Sequence, residues 1–358
     1  MRIEGSSTAC PRKAVNLFAS GLLAFVVILS VACGTSSAQR ADEFPEWFVN
    51  PESLYPSERY MTGVGGGANR EDAEFQALAA LAQSFEVEIT VDSTTRERYR
   101  QIATETGVID ESELEIVQNV DVRTNIQLLN ARIAEIATGR SGRYYAIAVL
   151  ERGPTAELYR SVVRRNEAQI ANLLADADVS SSALLRYSLL GVASVLARTN
   201  ADLLNQLLVI DTGPDSRFIP NVSEDQVLRR AADSASNLRT RVRFGDTDSN
   251  RFFQVIAQEL SARQFPIVSD DYRMIVDGDV DMNSFQASDR LSTVEWALRI
   301  NVVDETGTIL LAFQRDGRAS GSNETTARAF AERAIEAALR EDFPDRLQEQ
   351  FDRMVYRG

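Results

Sequence analysis

The chain has 358 residues, with 38 basic side chains against 52 acidic ones, a formal charge of −14 and no histidine. Its single lysine, Lys13, and its two cysteines, Cys10 and Cys33, all lie before residue 34. The remainder therefore lacks imidazole, free thiol and lysine amine. That excludes Ser-His-Asp and Cys-His catalysis, zinc sites built on His or Cys, lysine Schiff bases and internal disulfides, and the acidity argues against nucleic acid as a partner.

Residues 14–33 read AVNLFASGLLAFVVILSVAC and follow Arg12 and Lys13. A basic start, an apolar stretch and small residues before a cleavage point make a secretory signal, assigned to residues 1–32. The uninterrupted apolar part, Gly21 to Ala32, is too short for a bilayer, which needs about 20 residues. Ser30-Val31-Ala32-Cys33 resembles the lipobox of bacterial lipoproteins, with Ser30 where leucine is usual. The resemblance implies a diacylglycerol on the Cys33 sulfur, cleavage before it, and acylation of the new amino end. Two or three acyl chains would hold the protein on a membrane, whereas one holds only reversibly. Residues 33–43 are small and polar and form a tether; at about 3.3 Å per residue, Gly34 to Asp42 reaches roughly 30 Å. Without the leader the charge is near −16, because Arg2, Arg12 and Lys13 leave together with Glu4.

The first domain is expected over 44–152. It opens on Phe44-Pro45-Glu46-Trp47-Phe48, followed by a short strand, Arg59 to Val64, and a glycine turn at Gly65-Gly66-Gly67. Asn69 is a candidate N-cap for an amphipathic helix with Glu71 and Asp72 in its first turn and Ala73, Ala77, Ala80, Leu81 and Phe85 at helical spacing. Val87, Ile89 and Val91 alternate with polar residues as a half-buried strand does. Residues 96–118 are polar and partly helical, and the runs Ile126–Ala137 and Arg143–Leu150 are strands joined at Gly139–Gly142.

Residues 153–210 are expected to form a helical hairpin. One stripe carries Tyr159, Val162, Val163, Ile170, Leu173 and Leu174; the other carries Leu184, Leu185, Leu189, Val192, Val195 and Leu196, with a break at Asp178–Ser181. The C-terminal domain, 211–358, is expected as helix 223–238, strand 239–244, helix 249–264, three strands and closing helices. In its central strand Val294, Trp296, Leu298, Ile300 and Val302 share one face. Asp304–Gly307 turns that strand into Ile309–Phe313. The fold class is thus α+β: two small helix-backed sheet domains joined by a helical hairpin, behind a lipoprotein signal peptide.

Three motifs admit a ligand reading. Gly63-Val64-Gly65-Gly66-Gly67-Ala68 matches a dinucleotide fingerprint, with Glu86, Glu88 and Asp92 about 20 residues on. The chain then turns to hairpins rather than repeated βα units, so the glycines are assigned to a tight turn and close backbone packing. Asp246-Thr247-Asp248-Ser249-Asn250 and Asp277-Gly278-Asp279-Val280-Asp281 resemble fragments of calcium loops. They lack the glycine and glutamate that such loops need at positions six and twelve. The first is assigned to a helix-capping loop and the second to the polar face of a strand. Trp47, Tyr55 and Tyr60 cluster near a turn and are assigned to closing one end of a core. No catalytic residue, cofactor or metal is expected.

Pro45-Glu46-Trp47, then Tyr60-Met61-Thr62-Gly63-Val64-Gly65, the alanine-rich helix Ala73–Phe85 and the strand Val87–Val91 together resemble the LPP-twenty family of bacterial envelope lipoproteins, over about residues 44–152. The resemblance implies an α+β domain without known enzymatic residues. The expected function is that of a non-enzymatic envelope lipoprotein, held by acyl chains on Cys33 at the outer membrane facing the periplasm. It would act as an assembly or scaffolding module on an envelope protein partner. The alternatives are a carboxylate-dependent enzyme acting on envelope glycan and a carrier of an apolar ligand.

Overall fold

The computed structural model describes residues 44–85, 93–106, 128–213, 218–245, 250–288 and 290–356. The leader, Cys33, the tether, the strand expected at Val87–Val91 and the capping loop at Asp246–Ser249 lie outside the described residues.

The first sheet has the order β1-β3-β2, with β1 Tyr60–Gly67, β2 Arg132–Thr138 and β3 Tyr144–Glu151. Both pairings are antiparallel; Tyr60 lies opposite Glu151 and Gly67 opposite Tyr144. The expected β2–β3 hairpin is present, and Gly142 takes φ +82° in its turn, a conformation that needs glycine. The expected turn at Gly65–Gly67 is absent. These glycines belong to β1, and the chain turns only at Ala68 and Asn69.

The reason lies in α2, Arg70–Gln83. Gly63, Gly65 and Gly67 alternate along β1 and all face this helix. A Cβ on Gly63 would lie 2.2 Å from the Leu81 backbone nitrogen, and one on Gly65 would lie 2.2 Å from that of Ala77. Helix and strand therefore meet backbone to backbone, and the glycines are needed for proximity rather than for turning. The helix meets the strand with Ala73, Ala77 and Leu81, one turn apart and fully buried. Asn69 starts it as expected, its side-chain oxygen accepting from the Asp72 N–H at 2.8 Å. The other face of the sheet is closed by Trp47 of α1, Glu46–Val49, which packs with Tyr145, Ile147 and Val149.

Two long helices follow, α4 Arg152–Val179 and α5 Ala183–Ile210, broken at Ser180–Ser182. Leu203, Leu207 and Ile210 of α5 join the core of the first sheet, together with Tyr159, Val162 and Val163 of α4. The middle of α5, Leu189 to Ala197, packs with α3, Ser93–Thr106, through Tyr99, Ile102 and Ala103. Leu184, at its start, reaches the core of the second sheet.

That second sheet has the order β4-β5-β6-β7: Thr240–Phe244, Met274–Ser288, Leu291–Asp304 and Ile309–Gly321. β4 runs parallel to β5 because α6 (Glu224–Ser236) leads into β4 and α7 (Asn250–Ala262) crosses from β4 to β5; the other pairs are antiparallel hairpins. Val294, Leu298, Ile300 and Val302 are buried on one face, as the alternation predicts. Asp304 accepts from the N–H groups of Thr306 and Thr308 and so shapes the expected turn, with Gly307 at φ +90°. β7 runs to Gly321, well past the expected Phe313. Helix α8, Glu324–Ala337, then a π turn, and α9, Phe343–Tyr356, close the domain.

The entry into α8 repeats the entry into α2. Gly67, Asn69, Ala73, Ala77 and Leu81 correspond in spacing to Gly321, Asn323, Ala327, Ala331 and Ile335. Asn323 caps α8 by accepting from the Thr326 N–H at 2.9 Å, and a Cβ on Gly321 would lie 2.5 Å from the Ala327 nitrogen. Each helix thus stands on a glycine that ends a strand.

Gly65→Ala is expected to destabilise the protein by about 1–3 kcal/mol, because α2 must leave the sheet to admit one methyl group. Gly66 points the other way, and its nearest neighbour would be the Tyr145 ring at 3.4 Å. Gly66→Ala is therefore expected to change stability by less than about 1 kcal/mol. Urea unfolding of the two variants checks the contrast.

Candidate anchor and polar clusters

Cys33, the expected lipid-attachment residue, lies outside the described residues; the described chain begins at Phe44. The other residues singled out from the sequence can each be placed. In the glycine run, the close approach that a dinucleotide fingerprint would reserve for a pyrophosphate is taken by the α2 backbone. The strand carrying it pairs antiparallel with β3, whereas a dinucleotide fold needs parallel strands.

Trp47, Tyr55 and Tyr60 come together as an aromatic cover. Tyr55 meets Tyr60 edge-on at 5.4 Å, and Trp47 meets Phe48 edge-on at 6.3 Å. The Tyr55 hydroxyl donates to Glu135 at 3.4 Å, and burial together with the Glu135 charge raises its pKa. These side chains close the sheet face, as expected.

Asp277, Asp279 and Asp281 lie on the polar face of β5, also as expected, and each carboxylate has an arginine. Arg243 donates to Asp277 at 2.6 Å, and Arg299 donates to Asp279 at 2.6 Å and also to Asp281. Across β6 and β7, Glu295 pairs with Arg318 at 2.7 Å. Opposite charges placed directly across strands stabilise the sheet modestly and leave these carboxylates neutralised.

The open hollows have the same character. One of about 540 Å³ is lined by Arg152, Glu157, Arg160 and Asp211, and Arg160 holds both of those carboxylates. Another, of about 640 Å³ between α7 and α8, is lined by Arg251, Gln254, Gln258, Glu336 and Arg340, with Arg251 bound to Glu336.

The sequence reading missed a polar seam buried between the long helices. The Tyr159 hydroxyl donates to Gln206 at 2.6 Å and accepts from the Leu129 N–H at 3.1 Å; Gln206 in turn donates to Asp202 at 3.0 Å. Further along, Asn166 donates to Asn200 at 2.6 Å. Glu167 takes two hydrogen bonds from Asn221, which fixes the loop ahead of α6. By periodicity alone Tyr159 is one apolar member of a stripe. The available signal was the polar residues that interrupt the apolar pattern of both helices. A half-buried link joins α3 to α9: Arg98 donates twice to Asp352, at 3.0 and 2.9 Å, and Gln348 donates to the same carboxylate at 3.1 Å.

The described fold is an α+β assembly in which a glycine-faced strand carries an alanine helix and a helical hairpin links two sheets. Residues 45–151 match the model of the LPP20 lipoprotein family, so the likeness read from Pro45–Val91 holds over the first sheet and its helices. No curated protein matches the sequence. Among solved structures, a secreted protein of Helicobacter pylori aligns at 12% identity over 79% of this chain and 97% of its own, with a TM-score of 0.41. A minor lipoprotein of Acinetobacter baumannii aligns at 11% identity over 34% of this chain and 91% of its own, with a TM-score of 0.21. A Caulobacter crescentus CB15 protein described as a lipoprotein aligns at 10% identity over 35% and 94%, with a TM-score of 0.24.

Burial raises the pKa of Asp202 above the ordinary carboxylate value, against the opposing effects of the Gln206 hydrogen bond and the Arg96 charge. A raised folded-state pKa means that ionisation costs the native state stability. The cost grows as pH rises from the unfolded value, about 3.9, and is complete above the folded value. Asp202→Asn is therefore expected to raise the unfolding midpoint at pH 7. The gain should vanish below about pH 4, where the carboxyl is protonated in both states. Urea titrations of both proteins across that range check the sign.

Proposed function

We propose that the protein is a non-enzymatic envelope lipoprotein. Acyl chains on Cys33 hold it at the outer membrane facing the periplasm, and its body serves as an assembly or scaffolding module for an envelope protein partner. The observation that carries this reading is the sequence of features along one chain: an apolar leader ending in Ser30-Val31-Ala32-Cys33, a short polar tether, and then the segment matching the LPP20 lipoprotein family. None of the described helices is long and apolar enough to cross a membrane. The arginine-tied carboxylates of the hollows support binding by surface rather than turnover.

Cys33→Ala is expected to abolish palmitate labelling and to remove the protein from the outer-membrane fraction. Crosslinking in intact cells is expected to recover one dominant envelope partner from the native chain and to lose it with the variant. Retained labelling and membrane association in the variant would refute the anchor. Turnover of an envelope glycan by the purified protein would refute the scaffold.

A further inference from the structure

Exposed large apolar side chains are scattered over most of the described surface: Val179, Leu208, Ile219 and Ile309 each stand on a different segment. Such isolated residues are ordinary. One short stretch gathers three, with Phe44 46%, Val49 72% and Leu54 56% exposed. All three lie on the segment 44–54, and its inward side is already committed. Trp47 is buried against the first sheet, and Phe48 lies 4.8 Å from the Tyr145 ring. Phe44 stacks on Phe48 at 5.5 Å and meets Tyr145 edge-on at 5.4 Å. The segment is thus a base rooted on the first sheet by aromatics, with apolar surface of Phe44, Val49 and Leu54 left exposed.

We infer that this base rests on the lipid surface to which the chain is tethered, with Val49, Leu54 and the free edge of Phe44 inserted among the lipids. The inference rests on lipid attachment at Cys33 and adds a second point of contact to it. The position of the segment in the chain identifies the occupant. Phe44 follows Cys33 by a tether that spans roughly 40 Å at full stretch, so this is the part of the body that cannot leave the neighbourhood of the bilayer. A tether converts a weak second contact into an intramolecular one, so three modest side chains suffice where a free protein would not bind. The charge pattern sets the lipid chemistry. Glu46 and Glu52 lie within the segment, and it contains no Lys or Arg. Its contact is therefore apolar, made with uncharged lipid, and insensitive to salt. Two contacts would also orient the body, holding the first sheet next to the membrane.

The test uses the mature chain lipidated at Cys33 and floated with vesicles of phosphatidylcholine and phosphatidylethanolamine. Cys33 is blocked by its thioether, and the only other cysteine, Cys10, belongs to the leader, so an introduced cysteine is the sole free thiol. An environment-sensitive nitrobenzoxadiazole dye is placed through Val49→Cys or Leu54→Cys, and through Val179→Cys and Ile219→Cys as controls, all at exposed positions. On vesicles, the dye at 49 and 54 is expected to shift to the blue and brighten several-fold. It should also be quenched by lipids carrying a spin label on the acyl chain, and 0.5 M salt should leave all three effects intact. The dye at 179 and 219 should stay aqueous. Protein that floats while 49 and 54 match the controls overturns the inference and leaves the anchor standing. Protein that fails to float overturns both. A blue shift without vesicles that grows with protein concentration assigns the base to a second copy of the chain and overturns the lipid contact.

Discussion

One helix passes through the three largest buried cores among the described residues. α5 is 28 residues long, about 42 Å at 1.5 Å per residue. Its first turn enters the core of the second sheet, its middle packs with α3 and α4, and its last turns enter the core of the first sheet. A helix that is apolar over so much of its surface must be covered on most sides. Here α4, the two sheets, α3 and α9 provide that cover. The Arg98–Asp352 pair adds a bidentate link between α3 and α9 across the same assembly. A half-buried pair of this kind specifies which helices meet more than it adds stability.

A second constraint positions the helices on the sheets. α2 and α8 each follow a strand that ends on glycine, begin under an asparagine cap, and present alanines at every fourth position. Removing the side chains from both surfaces lets backbone approach backbone, so the contact has almost no capacity to relax. A Cβ at Gly63, Gly65 or Gly321 would fall less than 3 Å from a helix backbone atom. This geometry explains why the glycines of β1 need no ligand to account for them, and why the same spacing recurs in the second sheet.

Much of this could be read from the chain. Alternation in Val294–Val302 located the central strand and its buried face, Asn69 marked the start of α2, and Gly139–Gly142 marked a hairpin. These signals are local, and each has one physical meaning. The glycine run has two. Glycine permits both turning and close approach, and only the helix lying across β1 decides between them. Periodicity also left the polar seam hidden, because a tyrosine and a few amides look alike on a helix whether they face solvent or a buried partner. The recurrence of Gly-x-Asn with alanines four apart was visible in the sequence. Its meaning depended on seeing two helices stand on two strands in the same way. Of the candidate site, the aromatic cover and the aspartates of the polar strand face were legible as structural features, whereas their arginine partners on neighbouring strands were not. The exposed face of segment 44–54 was not, since Trp47 and Val49 are both simply apolar until one of them is seen to be buried.

A body built on one shared helix should not come apart by sheets. The two tryptophans report on this directly, because Trp47 covers the first sheet and Trp296 lies in the second. Variants retaining only one of them, Trp296→Phe and Trp47→Phe, allow each sheet to be followed separately during urea unfolding. Helix content is followed in the same samples by circular dichroism. If α5 couples the cores, emission and helix signal fall together in each variant, at one urea concentration and with one slope. A Trp47 or Trp296 transition resolved from the loss of helix would show a sheet unfolding on its own and would contradict the account.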